Sequence, residues 1–72
     1  MKTQLEQLIL MINQIVDNNS YGNTPEETAE TTASHLKKFW ARPMKQQIIQ
    51  YAEEDGSELQ PAAKLAVQQL AS

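Results

Sequence analysis

The 72-residue sequence contains no cysteine and only one histidine. Disulfide bridges and Cys/His metal sites, which stabilise many very small domains, are therefore excluded. A domain of this length buries only about 60% of the surface that its unfolded chain exposes, so its hydrophobic core is thin. These absences argue against a self-contained enzyme, and they leave a partner as a possible source of further burial.

Basic residues are also scarce, with six Lys and Arg against nine Asp and Glu and a net charge of -3. This balance disfavours general affinity for nucleic acid or for an anionic membrane. The apolar run over residues 8–12 is bracketed by Glu6 and Asn13, which makes it too short for a signal-peptide core or a membrane span. We therefore expect a cytoplasmic protein without a targeting segment.

The spacing of apolar residues predicts an all-α fold, a small bundle of three to four short helices in one domain over residues 1–72. The clearest helix carries Leu5, Leu8, Ile12 and Val16 on one face. No strand-like alternation, internal repeat or Gly-rich phosphate loop is present. The predicted helices cover about residues 3–17, 25–41, 43–54 and 61–70.

Local signals support these helix limits. Thr24, Pro25 and Glu27 form the pattern of a capping box with proline at the first helical position. Pro43 predicts a corner followed by a third helix, and Gly56 suits the left-handed cap that ends it. Pro61 then begins the fourth helix.

The segment over residues 37–45 interleaves four of the six basic residues with two adjacent aromatics, Phe39 and Trp40. Adjacent helical residues point about 100° apart, so both rings cannot face the centre of one narrow core stripe. On a continuous helix His35, Phe39 and Arg42 share a shoulder beside that stripe. His35 has no carboxylate at the spacing that would orient it as a catalytic base.

Several interpretations of these features stay open. Cations favour a helix C-terminus and aromatics fill a thin core, which is a purely structural explanation. A small helical nucleic-acid-binding regulator would use the basic segment. A self-associating helical protein, forming a homodimer, would use the off-register apolar residues Leu10, Ile49 and Leu65 if they converge in space.

The sequence resembles the small delta subunit of NAD-dependent, molybdenum-containing formate dehydrogenase from about residue 8 to residue 70. The resemblance rests on residues 11–15, the block of residues 35–40, and Met44, Gly56, Leu59 and Pro61. Its most specific part is a His-Leu/Ile-x-x-Phe-Trp block followed by a Pro/Arg/Met cluster. Here Arg42 precedes Pro43, whereas the family usually has the reverse order after an acidic residue.

This resemblance implies a non-catalytic accessory subunit that binds the large molybdenum-bearing subunit and supports its assembly, cofactor retention or stability. It also implies that the molybdenum cofactor, iron–sulfur clusters, FMN and NAD belong to partner subunits, with none bound by this chain. Neither nucleic acid nor membrane is an expected partner. The residues predicted to contact the large subunit are His35, Lys38, Phe39, Trp40, Arg42, Met44, Asn13 and Gln14.

Overall fold

The computed structural model describes residues 3–72, and over these residues the chain forms four α-helices and no strand. The predicted all-α fold class is thereby confirmed for the described part of the chain. Residues 1 and 2, which the predicted domain includes, lie outside it. The helices are α1 (Gln4–Asn19), α2 (Pro25–Phe39), α3 (Arg42–Glu54) and α4 (Pro61–Ala71).

Capping boxes begin the first two helices. At α2 the Thr24 hydroxyl accepts a hydrogen bond from the Glu27 amide at 3.1 Å, and the Glu27 carboxylate accepts from the Thr24 amide at 2.9 Å. This is the capping box that the sequence predicts. Thr3 and Glu6 make the same reciprocal pair at α1. Each box satisfies backbone N–H groups that have no partner inside the helix.

The first helix runs two residues further than the predicted limit of residue 17. The amide side chain of Asn19 donates to the Ile15 carbonyl at 2.8 Å, and that of Asn23 donates to the Asn19 carbonyl at 2.7 Å. The second bond satisfies the Asn19 carbonyl, one of the last four in the helix, which have no N–H partner inside it, and the first adds a side-chain donor to the last turn. Asparagine side chains therefore prolong α1 at a point where composition alone favours a loop.

The corner between α2 and α3 also differs from prediction, because α2 ends at Phe39 and α3 begins at Arg42. Trp40 and Ala41 are extended, with ψ angles of 136° and 154°. Proline at the second position of α3 costs no hydrogen bond, since the first helical N–H groups have no acceptor. The helical shoulder predicted for His35, Phe39 and Arg42 is therefore interrupted by the corner, and Arg42 belongs to α3.

All four helices contribute side chains to the main core. Ile12, Leu36 and Ile48 are fully buried at its centre. A second cluster is made of small residues, Ala29 and Ala33 on α2 with Ala66 on α4. Helices α2 and α4 have the most extensive contact of any helix pair in the described chain, because these small side chains let the two backbones approach closely.

One buried side chain in this region is unsatisfied. Thr32 on α2 is fully buried, and its hydroxyl has no hydrogen-bond partner among the described residues. A buried hydroxyl without a partner loses its hydration with no compensation.

Thr32→Val, which keeps the shape and removes the hydroxyl, is expected to raise the free energy of unfolding by about 1 kcal/mol. Chemical denaturation measures the change, and the exposed neighbour offers a matched control in Thr31→Val, expected to stay within about 0.5 kcal/mol. Destabilisation by Thr32→Val would show that the hydroxyl is satisfied after all.

The link from α3 to α4 turns at Gly56, whose φ of 68° lies in the left-handed region. A Cβ atom at this position would lie 3.1 Å from the Ala52 carbonyl oxygen, so the site favours glycine sterically as well as conformationally. The predicted glycine cap is confirmed. None of the helices over residues 3–72 is long and apolar enough to cross a membrane.

Candidate partner-binding surface

The two adjacent aromatics at the end of α2 have opposite environments. Phe39 is 71% exposed, whereas Trp40 is only 5% exposed and packs within the main core. The extended backbone at Trp40 produces this division, because it turns the indole inward immediately after the last helical residue. Of these two predicted contact residues, Phe39 is the one whose ring is exposed at the surface.

Phe39 is held against the only histidine. The ring centroids of His35 and Phe39 are 4.7 Å apart and their planes are inclined by 43°. Both residues are exposed, and they lie one helical turn apart on α2. The exposed phenyl ring therefore packs against a neighbouring ring on the same helix.

Met44 on α3 is half-buried and packs against the main core rather than standing free. Its predicted role in contacting a partner is therefore limited to the part that stays accessible. Together with Trp40 it forms the inner side of the corner, and the exposed residues His35, Lys38, Phe39 and Arg42 form the outer side. We refer to these four exposed residues as the corner surface.

The cations around the corner are of two kinds. The ammonium of Lys45 donates a hydrogen bond to the Lys37 carbonyl at 3.1 Å, which caps the C-terminal end of α2. Lys38 and Arg42 are exposed, and no hydrogen bond or ion pair engages their side chains within residues 3–72. Lys45 is therefore explained by helix capping. Lys38 also lies in the last turn of α2, where a cation complements the helix dipole, whereas Arg42 begins α3 and has no such structural explanation.

Asn13 has a role within the fold. Its side-chain NH2 group donates to the backbone carbonyl of Glu58 at 2.9 Å, and its side-chain oxygen accepts from the backbone N–H of Gln60 at 3.1 Å. The side chain of Gln60 in turn donates to Asp17 at 3.0 Å. Asn13 thus fastens the link before α4 to α1. Its neighbour Gln14 is exposed, and its predicted contact with a partner stays a prediction.

Asn13→Ala is expected to lower the free energy of unfolding by about 1–2 kcal/mol, because the two groups that it bonds would lose their partner. Urea denaturation measures this change. Gln14→Ala is the control and is expected to stay within about 0.5 kcal/mol. Equal effects of the two substitutions would contradict the structural role of Asn13.

Exposed apolar residues also occur outside the corner surface. Tyr21, in the link between α1 and α2, is 97% exposed, and Leu10 and Met11 are exposed on α1. The sequence pattern identified Leu10 as off-register. It did not single out Met11 and Tyr21 as exposed apolar residues, because a side chain in a loop or beside a helical stripe has no periodic signal of exposure.

The three off-register residues do not form one apolar patch. Leu10 borders a cleft on α1 beside Glu58, and Ile49 lines a groove between α3 and α4. Leu65 packs against the alanine cluster of α2 and α4. The groove beside Ile49 has a volume of about 420 Å³ and is lined mainly by aliphatic and amide groups with Glu53 and Lys64. The hydroxyl group in its lining, that of Ser72, donates a hydrogen bond to the Gln69 carbonyl at 2.8 Å.

The described residues contain no group of three His, Asp or Glu side chains that could hold a metal ion. The full sequence contains no cysteine. Because cysteine thiolates hold iron–sulfur clusters, the sequence offers no ligand of that kind for such a cluster.

Over the described residues the chain is a small all-helical protein. Its corner surface exposes aromatic and basic side chains. Over residues 7–67 the chain matches the family model of the NADH-dependent formate dehydrogenase delta subunit FdsD. The chain belongs to this family, and a delta subunit of formate dehydrogenase associates with other subunits of that enzyme. Comparisons with curated proteins and with solved structures gave no match.

Proposed function

We propose that this chain is a non-catalytic delta subunit that binds the large molybdenum-bearing subunit of formate dehydrogenase and supports its assembly, cofactor retention or stability. The observation that carries the proposal is the family match over residues 7–67. The corner surface supplies the contact, with Phe39 as its apolar anchor and His35, Lys38 and Arg42 as directional polar groups. Aromatic and arginine side chains dominate the binding energy of many protein interfaces.

A non-catalytic role agrees with the donor set of the chain. Formate oxidation coupled to NAD reduction relies on cofactors, and the residues here do not offer a ligand set for molybdenum or iron–sulfur clusters. We therefore assign the molybdenum cofactor, iron–sulfur clusters, FMN and NAD to partner subunits. This chain would then stabilise its partner by binding to it. Because the chain binds the folded or cofactor-loaded form, mass action raises the fraction of the partner in that form.

The structure lends less support to the two other functions. A nucleic-acid-binding role would use α3 as the reading helix, but Glu53 and Glu54 end that helix and Lys45 is engaged with the Lys37 carbonyl. A homodimer through Leu10, Ile49 and Leu65 would need one shared apolar patch, which these residues do not form.

The test is to purify formate dehydrogenase from cells with and without this chain, and to measure molybdenum per large subunit, subunit composition and formate oxidation. Without the chain, we expect less assembled complex or less molybdenum per large subunit, with activity per bound molybdenum unchanged. Unchanged composition and molybdenum content would reject the supporting role. A fall in activity per bound molybdenum would reject the non-catalytic role.

A further inference from the structure

The charges of this chain are segregated along the sequence. The 22 residues from Thr31 to Ala52 contain four Lys and Arg and no Asp or Glu, while the rest of the chain contains all nine carboxylates and two lysines. The cationic stretch spans the second half of α2, the corner and most of α3. The acidic groups flank it, at the start of α2 and at the end of α3. An acidic protein thus carries one basic stretch, residues 31–52, which we call the basic end.

The basic end is not neutralised from within. No ion pair links Lys37, Lys38, Arg42 or Lys45 to a carboxylate in the part of the chain that the structure describes. Clustered like charges repel one another, and favourable helix-end effects apply to Lys37, Lys38 and Lys45 but not to Arg42, which is the first residue of α3. Lys38 and Arg42 are therefore available to a partner of opposite charge.

A large apolar side chain lies among these charges. Phe39 is exposed over most of its surface, is flanked in sequence by Lys38, and lies three residues before Arg42. The phenyl ring also contacts the imidazole of His35. An exposed aromatic with cationic residues close to it in the sequence is the combination expected of an interface hot spot, where the ring enters a pocket and the charges set orientation.

We infer that the corner surface binds an acidic face of another formate dehydrogenase subunit, in which an apolar pocket rimmed by Asp and Glu side chains receives the Phe39 ring. This inference rests on the proposed function and adds the chemistry of the partner's surface. Charge complementarity favours an acidic partner surface, because the basic end has unpaired cations. The remaining surface of the chain would be repelled by such a carboxylate-rich face.

The same charges favour a protein over nucleic acid. A polynucleotide extends well beyond the corner surface, so its phosphates would also meet the acidic ends of α2 and α3. Among the described residues the corner exposes only the Phe39 and His35 rings, which contact each other, whereas single-stranded nucleic acid is bound by several rings that stack on successive bases. A compact acidic patch on a protein matches the size of the basic end better.

The inference is tested by binding kinetics between the full-length chain and a formate dehydrogenase complex prepared without it, over a range of ionic strengths. Lys38→Gln together with Arg42→Gln is expected to slow association about tenfold at low salt and to flatten its salt dependence. Lys64→Gln is the matched control for a single lost cation, since Lys64 is exposed on α4 and lies outside the basic stretch. It is expected to leave the rate within about twofold.

The apolar anchor is tested by Phe39→Ala, with Tyr21→Ala as the matched control, since both remove an exposed aromatic ring. Phe39→Ala is expected to weaken binding about 30-fold, mainly through faster dissociation, and Tyr21→Ala to change it less than about threefold. Circular dichroism of each variant confirms that the chain remains helical, so that a loss of binding reports on the contact.

Failure of this inference differs from failure of the proposed function. If the unaltered chain does not bind the complex at all, the proposed function is wrong. If the chain binds but neither the double glutamine variant nor Phe39→Ala alters binding, the inferred acidic pocket is wrong. If the unaltered chain binds a mixed-sequence DNA or RNA at low salt and the double glutamine variant does not, the inference that the partner is a protein surface is wrong.

Discussion

Trp40→Ala is expected to leave the isolated chain largely unfolded at room temperature. The indole is 5% exposed and packs in the core that all four helices share. Truncating a buried aromatic to alanine costs about 3–5 kcal/mol. A protein of this size has a total stability of roughly 4–10 kcal/mol, so the substitution removes much of it. Loss of the indole also releases the corner that joins α2 to α3.

Far-ultraviolet circular dichroism with thermal denaturation measures this effect. Phe39→Ala is the control, because it truncates the adjacent aromatic, which is exposed, and is expected to change stability by less than about 0.5 kcal/mol. A Trp40→Ala variant that keeps its helical signal and its melting temperature would contradict a core role. The indole would then act mainly in contact with a partner.

Ala66→Leu is expected to lower the free energy of unfolding by about 3 kcal/mol. Ala66 on α4 is fully buried against Ala29 and Ala33 of α2, in the most extensive helix contact of the described chain. Extra methyl and methylene groups have no space there, so they would force the two helices apart or into strained rotamers. Because α2 has little contact with α3, its attachment depends mainly on α4.

Urea denaturation of Ala66→Leu beside Ala71→Leu tests this packing. Ala71 lies on the same helix, is exposed and borders the open groove, so the same substitution is expected to stay within about 0.5 kcal/mol there. Equal stability of the two variants would show that α2 and α4 have room between them.

Local patterns account for much of the helical framework. The stripe that contains Leu8, Ile12 and Val16, the capping box at Thr24 and the left-handed glycine at position 56 are encoded within a few residues, and each is found where the pattern predicts it. The predicted limits fail at the end of α1 and at the corner. There asparagine side chains and the burial of Trp40 decide where helical backbone stops.

The candidate site is harder to predict from local sequence patterns. Spacing shows that Phe39 and Trp40 cannot both face the core, but it does not show which ring is buried, because that depends on the extended backbone after residue 39. Asn13 bonds to a segment more than 40 residues away, and no local pattern contains that information. The residue types identify a surface, and the tertiary contacts then separate its exposed members from its structural ones.

The corner places a core anchor and a surface anchor at consecutive positions. Unfolding of this short segment would withdraw the Trp40 indole from the interior and disperse the Phe39 contact with His35 at the same time. A subunit that binds the Phe39 ring would therefore bind folded delta chains in preference to unfolded ones. By mass action, this binding would raise the folded fraction of the chain. Partner recognition at this corner would thus act as a check that the delta subunit has folded before it is incorporated.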